Sequence, residues 1–188
     1  MARLTTFTQI SLDGYFTDAD GDLSWAHSRS EDPEFKTFVE GNASGGGALV
    51  FGRVTYEMMK SYWPTPQAAK NDPVVAERMN AMPKFVFSKK LKKADWKNTT
   101  VLSVDPAKEL KRLKKTSEAD LVILGSGTIV GQVAETGLVD EFQFVIIPIV
   151  LGKGRTVFDG VKKRVGMTRT SERAFKNGNL FVTYAPEK

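Results

Sequence analysis

Between Leu121 and Phe158 the chain reads LVILGSGTIVGQVAETGLVDEFQFVIIPIVLGKGRTVF, and few folds accommodate that order. Leu121 to Leu124 is an unbroken apolar run, the pattern of a strand buried on both faces. Gly125-Ser126-Gly127-Thr128 interrupts it. Ile129, Val130, Val133 and Ala134 then recur at helical spacing, and Gly137 stands where a helix end favours a left-handed residue. Phe142 to Val150 is a second apolar run, rich in β-branched residues. Strand, glycine turn, helix and strand form a βαβ unit, which demands parallel strands. Gly125 and Gly127 would let a ligand approach the backbone. The helix starting near Thr128 would aim unpaired N–H groups at the same place, so the turn is a candidate phosphate site.

The same grammar recurs along the chain. Arg3 to Ile10 reads as a first strand, followed by Ser11-Leu12-Asp13-Gly14-Tyr15. Asp18 to Asp22 resembles a calcium loop but lacks its spacing and final glutamate, so it is read as a turn. Asp32-Pro33 opens a helix, with aspartate as N-cap and proline at the first helical position. Ala48 to Phe51 is a short buried strand, and Gly52-Arg53-Val54-Thr55-Tyr56 turns it into a helix. Arg53 at that mouth opposes the helix dipole, a conflict that a bound anion would remove. Tyr62 to Pro66 reads as a loop, and Asp72-Pro73 caps a further helix. Lys84 to Ser88 and Thr99 to Ser103 read as strands, and Asp105-Pro106 caps a helix carrying Leu110 and Leu113. Met167 to Phe175 and Leu180 to Tyr184, joined through Asn177-Gly178, read as a terminal hairpin. The expectation is one α/β domain spanning 1–188, with about eight strands in a mixed, mostly parallel sheet, five flanking helices and an antiparallel C-terminal end.

Composition excludes several classes. The chain has no cysteine and one histidine, His27, so disulfides, thiolate metal sites and multi-histidine zinc sites are out. No apolar run is long enough to span a bilayer, and MARLTTFTQIS carries no signal-peptide core, so the cytoplasm is the expected compartment. The net charge is +5, which favours anionic partners. The lysines are scattered and no nucleic-acid motif is present, so a nucleic-acid partner is not expected.

Three strand ends thus converge on one ligand: Gly52-Arg53-Val54-Thr55, Ser88-Lys89-Lys90 and Gly125-Ser126-Gly127-Thr128. With SLDGYF (11–16), LVFGRVTYEMM (49–59), FVFSKKL (85–91), LVILGSGTIVGQ (121–132) and GLVDEFQFVIIPIVLGKGRTVF (137–158), the chain resembles the dihydrofolate reductase-like superfamily. It looks most like stand-alone relatives of the C-terminal reductase domain of the bifunctional riboflavin deaminase-reductase. The resemblance implies an NADPH-dependent reductase of a small pterin- or pyrimidine-like heterocycle, acting as a homodimer whose interface uses the strand after Leu138. It places Gly52, Arg53 and Thr55 on the adenine-side phosphates, Ser88 and Lys89 on the 2′-phosphate, and Gly125, Ser126, Gly127, Thr128 and Ile129 at the pyrophosphate. Substrate would lie against Gly14, Trp25 and Tyr56, with Asp13 as the catalytic candidate; no metal is implied. A true dihydrofolate reductase and a module that binds NADPH without turnover are the alternatives.

Overall fold

The computed structural model describes residues 1–27 and 32–187. Its centre is an eight-stranded sheet in the order β5-β4-β3-β6-β1-β7-β10-β9. The strands are β1 (Leu4–Ser11), β3 (Ala48–Gly52), β4 (Lys84–Phe87), β5 (Thr99–Leu102), β6 (Leu121–Leu124), β7 (Glu141–Ile147), β9 (Met167–Ala174) and β10 (Leu180–Pro186). Every pair from β5 to β7 is parallel, and β10 runs antiparallel to both β7 and β9. The expected mixed sheet with an antiparallel C-terminal hairpin is therefore present. Two short strands, β2 (Tyr15–Thr17) and β8 (Arg155–Thr156), form a separate antiparallel ladder that the sequence reading does not include.

The βαβ unit has a feature its sequence did not disclose. β6 and β7 are parallel but not adjacent, because β1 lies between them and pairs with both. From β3 the chain steps outward to β4 and β5, then returns to insert β6 between β3 and β1. Burial on both faces explains the continuous apolar run at Leu121–Leu124. Because β7 has paired neighbours on both edges, it offers no free edge to a second copy; the free edges belong to β5 and β9.

Six α-helices are present among the described residues: α1 (Pro33–Ser44), α2 (Arg53–Tyr62), α3 (Pro66–Asn71), α4 (Pro73–Ala81), α5 (Pro106–Thr116) and α6 (Gly127–Val133). The expected caps explain two of the starts. Asp32 accepts from the N–H groups of Glu34 and Phe35, and Asp105 from that of Lys108. α3 is the helix the sequence concealed. Its N-cap Thr65 and first residue Pro66 sit inside the proline-punctuated stretch read as loop. Asp72 makes no side-chain cap to α4, contrary to expectation; it also closes α3, and its carboxylate instead pairs with Lys36 at 3.4 Å.

Alternation along the strands divides the core. Leu4, Val50, Leu121, Ile123, Phe142 and Phe144 point to one face, where Leu110 and Leu113 of α5 and Ile129, Val130 and Val133 of α6 cover them. The other face is covered in two separate places. Tyr56, Val75, Met79 and Met82 pack over Leu49, Phe51 and Val86 at β3–β4. Trp25, Phe35 and Phe175 pack over Val145 and Ile147 of β7. The strip between these two clusters, over β6 and β1, is where the fold leaves room.

Lys84 is the polar exception in this core, with a side chain 1% exposed. Its ammonium donates to the carbonyls of Asn80 (3.2 Å), Met82 (2.7 Å) and Lys97 (3.2 Å), and lies 4.6 Å from the Trp96 ring centroid. It thereby satisfies carbonyls that the end of α4 leaves open. Burial pushes its pKa from 10.5 down to about 8. Lys84→Met should cost about 1–3 kcal/mol by stranding these acceptors. The unfolded chain holds a proton that the folded chain releases between about pH 8 and 10.5, so wild-type stability should gain with pH across that window. The variant should lack that gain. Urea denaturation of both proteins at the two ends of the window checks magnitude and sign.

Candidate functional site

A cavity of about 1460 Å³ opens over the uncovered strip and continues along the carboxyl ends of β3, β4 and β6. Gly52, Arg53, Thr55, Ser88, Lys89, Gly125, Ser126, Gly127, Thr128 and Ile129 all line it. The structure therefore brings together every residue that sequence reasoning placed on the cofactor. The topology explains this, since three parallel strands end side by side there.

The turn after β6 is tied to the turn after β3 by one hydroxyl. Ser126 Oγ accepts from the Gly52 N–H at 2.9 Å and donates to the Leu124 carbonyl at 3.0 Å. Ser126 holds φ +52°, a left-handed conformation that is costly for a residue with a side chain, directly after Gly125 at +57°. Gly127 has a packing role that its sequence signal did not show. A Cβ there would overlap the buried Phe16 ring, so this glycine admits Phe16 as well as any ligand. The Ile129 and Val130 N–H groups both bond the Ser126 carbonyl. The first N–H groups of the helix remain for another acceptor.

Polar groups around this turn are partly committed. Arg53 pairs with Glu57 one turn along α2 at 2.5 Å, so the dipole conflict argued from sequence has an internal answer. Ser88 Oγ accepts from the Lys90 and Leu91 N–H groups, which uses its acceptor capacity and leaves its O–H as donor. Lys89 is exposed at the rim. Arg155, which sequence reasoning did not single out, lines the cavity. It donates to Thr128 Oγ1 at 3.1 Å and stands 5.7 Å from the Phe16 ring centroid. Leu102, Ser103 and Val104 complete the wall beyond β5 and were also missed.

The expected substrate pocket is not assembled. Asp13, Gly14, Trp25 and Tyr56 are all outside the cavity lining. The Asp13 carboxylate instead accepts from the Ser11 hydroxyl (2.6 Å) and from the N–H groups of Leu151 and Gly152 (3.1 and 2.8 Å), which fastens the loop after β7 to the end of β1. These bonds, led by that from Ser11, hold its carboxyl below the usual carboxylate range, the wrong direction for a proton donor at neutral pH. Gly14 lines a small, separate apolar cavity with Ile10 and Phe158. Trp25 is buried in the cluster under β7, and its ring N–H donates to the Asp22 carbonyl at 3.2 Å. Tyr56 is 1% exposed, packs on Phe51 and Trp96, and accepts from the Trp96 N–H. Asp32 is spent as a cap and Glu34 pairs with Arg173 at 2.9 Å, so neither carboxylate of the first helix enters the cavity. The Asp18 carboxylate closes a turn on the N–H groups of Asp20 and Asp22, and no metal-binding cluster is found among the described residues.

This sheet order and strand-end cavity define a dihydrofolate reductase-like α/β protein. Residues 2–181 match the RibD C-terminal domain family, to which the chain belongs. It is 25% identical over 182 residues to the uncharacterized protein YyaP of Bacillus subtilis (strain 168), covering 97% of this chain and 94% of that one. A proposed riboflavin biosynthesis protein from Shewanella sp. PV-4 has the same fold, with TM-score 0.74, 21% identity and full coverage of both chains. Dihydrofolate reductase from Enterococcus faecalis, solved with NADP(H), aligns with TM-score 0.64 and 16% identity over 99% of this chain and 97% of that one.

Ser126 offers a test of the site's internal frame. Ser126→Ala should lose about 1–3 kcal/mol, since the Gly52 N–H keeps no partner and the left-handed strain remains. Ser126→Gly loses the same bonds but relieves about 1 kcal/mol of strain. Apo melting temperatures should rank wild type above Ser126→Gly above Ser126→Ala.

Proposed function

We propose that the chain is an NADPH-dependent reductase of a small, planar heterocycle. The observation that carries this reading is the continuity of the cavity. Its strand-end limb gathers the phosphate-type groups, and its other limb lies on the open sheet face beside them. At about 1460 Å³ it exceeds the usual single-ligand range, which suits a dinucleotide plus a substrate. Family membership and the NADP(H)-bound fold neighbour support the same reading.

The residues present fit such a cofactor. The Ser88 O–H and the Lys89 ammonium would bond a 2′-phosphate, with Arg53 and Thr55 beside it. The free N–H groups of the 126–128 turn and the Arg155 guanidinium would hold the pyrophosphate. NADPH supplies hydride when bound. The chain's own part is to orient both molecules, exclude water from the sheet-face limb and fix the ring against apolar side chains. A carboxylate on that face, Glu141, accepts from Gln143 at 2.7 Å, pairs with Arg3 at 3.4 Å and does not line the cavity, so the proton is assigned to solvent entering beside Asp22 and His27. The lack of a carboxylate among the floor-lining residues equally suits a module that binds NADPH without turnover, and a reductase screen over pterins and ribosylaminopyrimidines separates the two.

The cofactor assignment predicts a divided response. Lys89→Glu should weaken NADPH by about 1–3 kcal/mol, the scale of a hydrogen bond to a charged group, and leave NADH almost unchanged. Arg155→Ala should weaken both cofactors alike, because both carry the pyrophosphate. Calorimetry with the two cofactors reads these differences; equal loss of both in Lys89→Glu would remove Lys89 from the 2′-phosphate.

A further inference from the structure

The cavity does not stop at the strand ends. On β1 its floor runs back from Gln9 through Phe7 to Thr5, about 13 Å at the rise of a strand. Leu124 and Gln143 flank Phe7 in the sheet, and Val122 stands beside Thr5 with Leu49 of β3 beyond it. All of these line the cavity, and Gly45, Gly46 and Asp120, just before β3 and β6, mark its far end. An inner limb thus leads away from the phosphate-type groups toward the strand starts.

The wall of this limb is rich in sulfur. α1 and α4 end just before β3 and β4, so their last turns stand over the strand starts, and α2 packs beside them. Met58 and Met59 of α2, Met79 of α4 and Met82 just after it all line the cavity, together with Trp63. The chain has six methionines, and the other two, Met1 and Met167, are not in the lining, so the thioethers are concentrated at this one place. Unbranched thioethers adjust to apolar shapes and pack well on aromatic rings.

Charge is distributed unevenly along the cavity. The arginines and lysines that line it among the described residues, Arg53, Lys89 and Arg155, belong to the strand-end limb. The charged group at the far end is Asp120, which accepts from the Arg3 N–H at 2.7 Å. Cations on the surrounding elements stay out of the lining. Arg3 pairs with Glu141 at 3.4 Å, Lys36 with Asp72 at 3.4 Å and Lys60 with Asp95 at 2.5 Å, while Arg78 is exposed. A phosphate or carboxylate in the inner limb would exchange water for thioethers and an indole, with no cation beside it and an acid ahead of it.

From this we infer that the inner limb is a subsite for an uncharged aryl or alkyl arm on the substrate, and that it selects against an arm carrying phosphate or carboxylate. The substrate class is then a ring with an apolar extension. The inference rests on the proposed reductase reading for its setting, but the selection of the arm is a separate property of the limb.

The test uses two arms that differ at one end, 4-phenylbutan-1-ol and 4-phenylbutyrate. Each is titrated into the full chain, labelled with 13C at the methionine methyls, with and without NADPH. Single Met→Leu variants assign the six resonances. The alcohol should shift the methyls of Met58, Met59, Met79 and Met82, leave those of Met1 and Met167 in place, and do so with NADPH present. It should bind at least about tenfold more tightly than the carboxylate. Met58→Lys, which brings a cation to the half-buried wall, should reverse that order, and Met58→Leu should keep it. Far-UV circular dichroism and melting temperature establish that each variant is folded. An alcohol that shifts none of the four methyls or is displaced by NADPH, a wild type that binds the two arms equally, or a folded Met58→Lys that keeps the wild-type order overturns the inference. Arm selection without any NADPH binding upholds it while removing the reductase reading; NADPH binding without arm selection does the reverse.

Discussion

A single hydroxyl couples the two halves of the site. Ser126 Oγ bridges the Gly52 N–H at the end of β3 and the Leu124 carbonyl at the end of β6. These strands are neighbours in the sheet although 74 residues separate the bonded groups in sequence. Among the described residues that bridge is the polar tie between the β3 turn carrying Arg53 and Thr55 and the turn carrying Thr128. The left-handed Ser126 is the local cost of the arrangement, and Gly125 before it accepts the same conformation cheaply. Gly127 then lets Phe16 fill the space beneath, and Phe16 in turn carries Arg155 on its ring. Both groups that flank the turn thus depend on the same few residues.

The cavity follows from incomplete coverage rather than from a special loop. α5 and α6 close one face of the sheet continuously. On the opposite face the helices divide into a group over β3–β4 and a group over β7, and among the described residues the half-buried Val39 of α1 is the side chain that packs against both. The strip left between them exposes Phe7, Leu124 and the two glutamines to the cavity. β1 and β6 are the central strands, so the open strip meets the strand-end turns at the place where β6 was inserted. A ligand on the floor and a ligand in the turns would touch there, which is the geometry that group transfer between two bound molecules requires.

Much of this was legible in the sequence, for identifiable reasons. Apolar runs punctuated by glycine, and Asp-Pro pairs before helices, gave the strands and most helix starts. The strand-end residues were legible because one parallel sheet forces such ends to one side. What failed were inferences from residue type without a partner. Asp13 had the chemistry of an acid, but its bonding partners at Leu151 and Gly152 lie 138 and 139 residues away and could not be read locally. Trp25 and Tyr56 looked like pocket walls and proved to be core, because large aromatic side chains bury wherever a helix covers a sheet. α3 was hidden because Pro64 and Pro66 at its start signal a loop as readily as a first helical turn. Gln9 and Gln143 did carry a signal: each is a polar interruption on an inward-facing strand position.

The position of the glutamines also bears on why neither Asp32 nor Glu34 reaches the floor. Each acidic residue near the first helix has a structural commitment. Asp32 accepts from two N–H groups of its own helix start and from Asn177 at 3.0 Å, which ties α1 to the terminal hairpin. Glu34 makes a second tie to the same hairpin through Arg173, which itself lies over the Phe175 ring. Moving either carboxylate onto the sheet face would loosen the cluster of Trp25, Phe35 and Phe175 that forms one bank of the cavity. Keeping those two carboxylates off the floor avoids that conflict. A carboxamide keeps donor and acceptor capacity without the desolvation that an unpaired carboxylate would suffer against Phe7 and Leu124. The wall that holds the cavity open and the chemistry of its floor are in this sense one constraint: the acids of α1 fix the wall, and the cavity-lining floor is left to apolar and amide side chains.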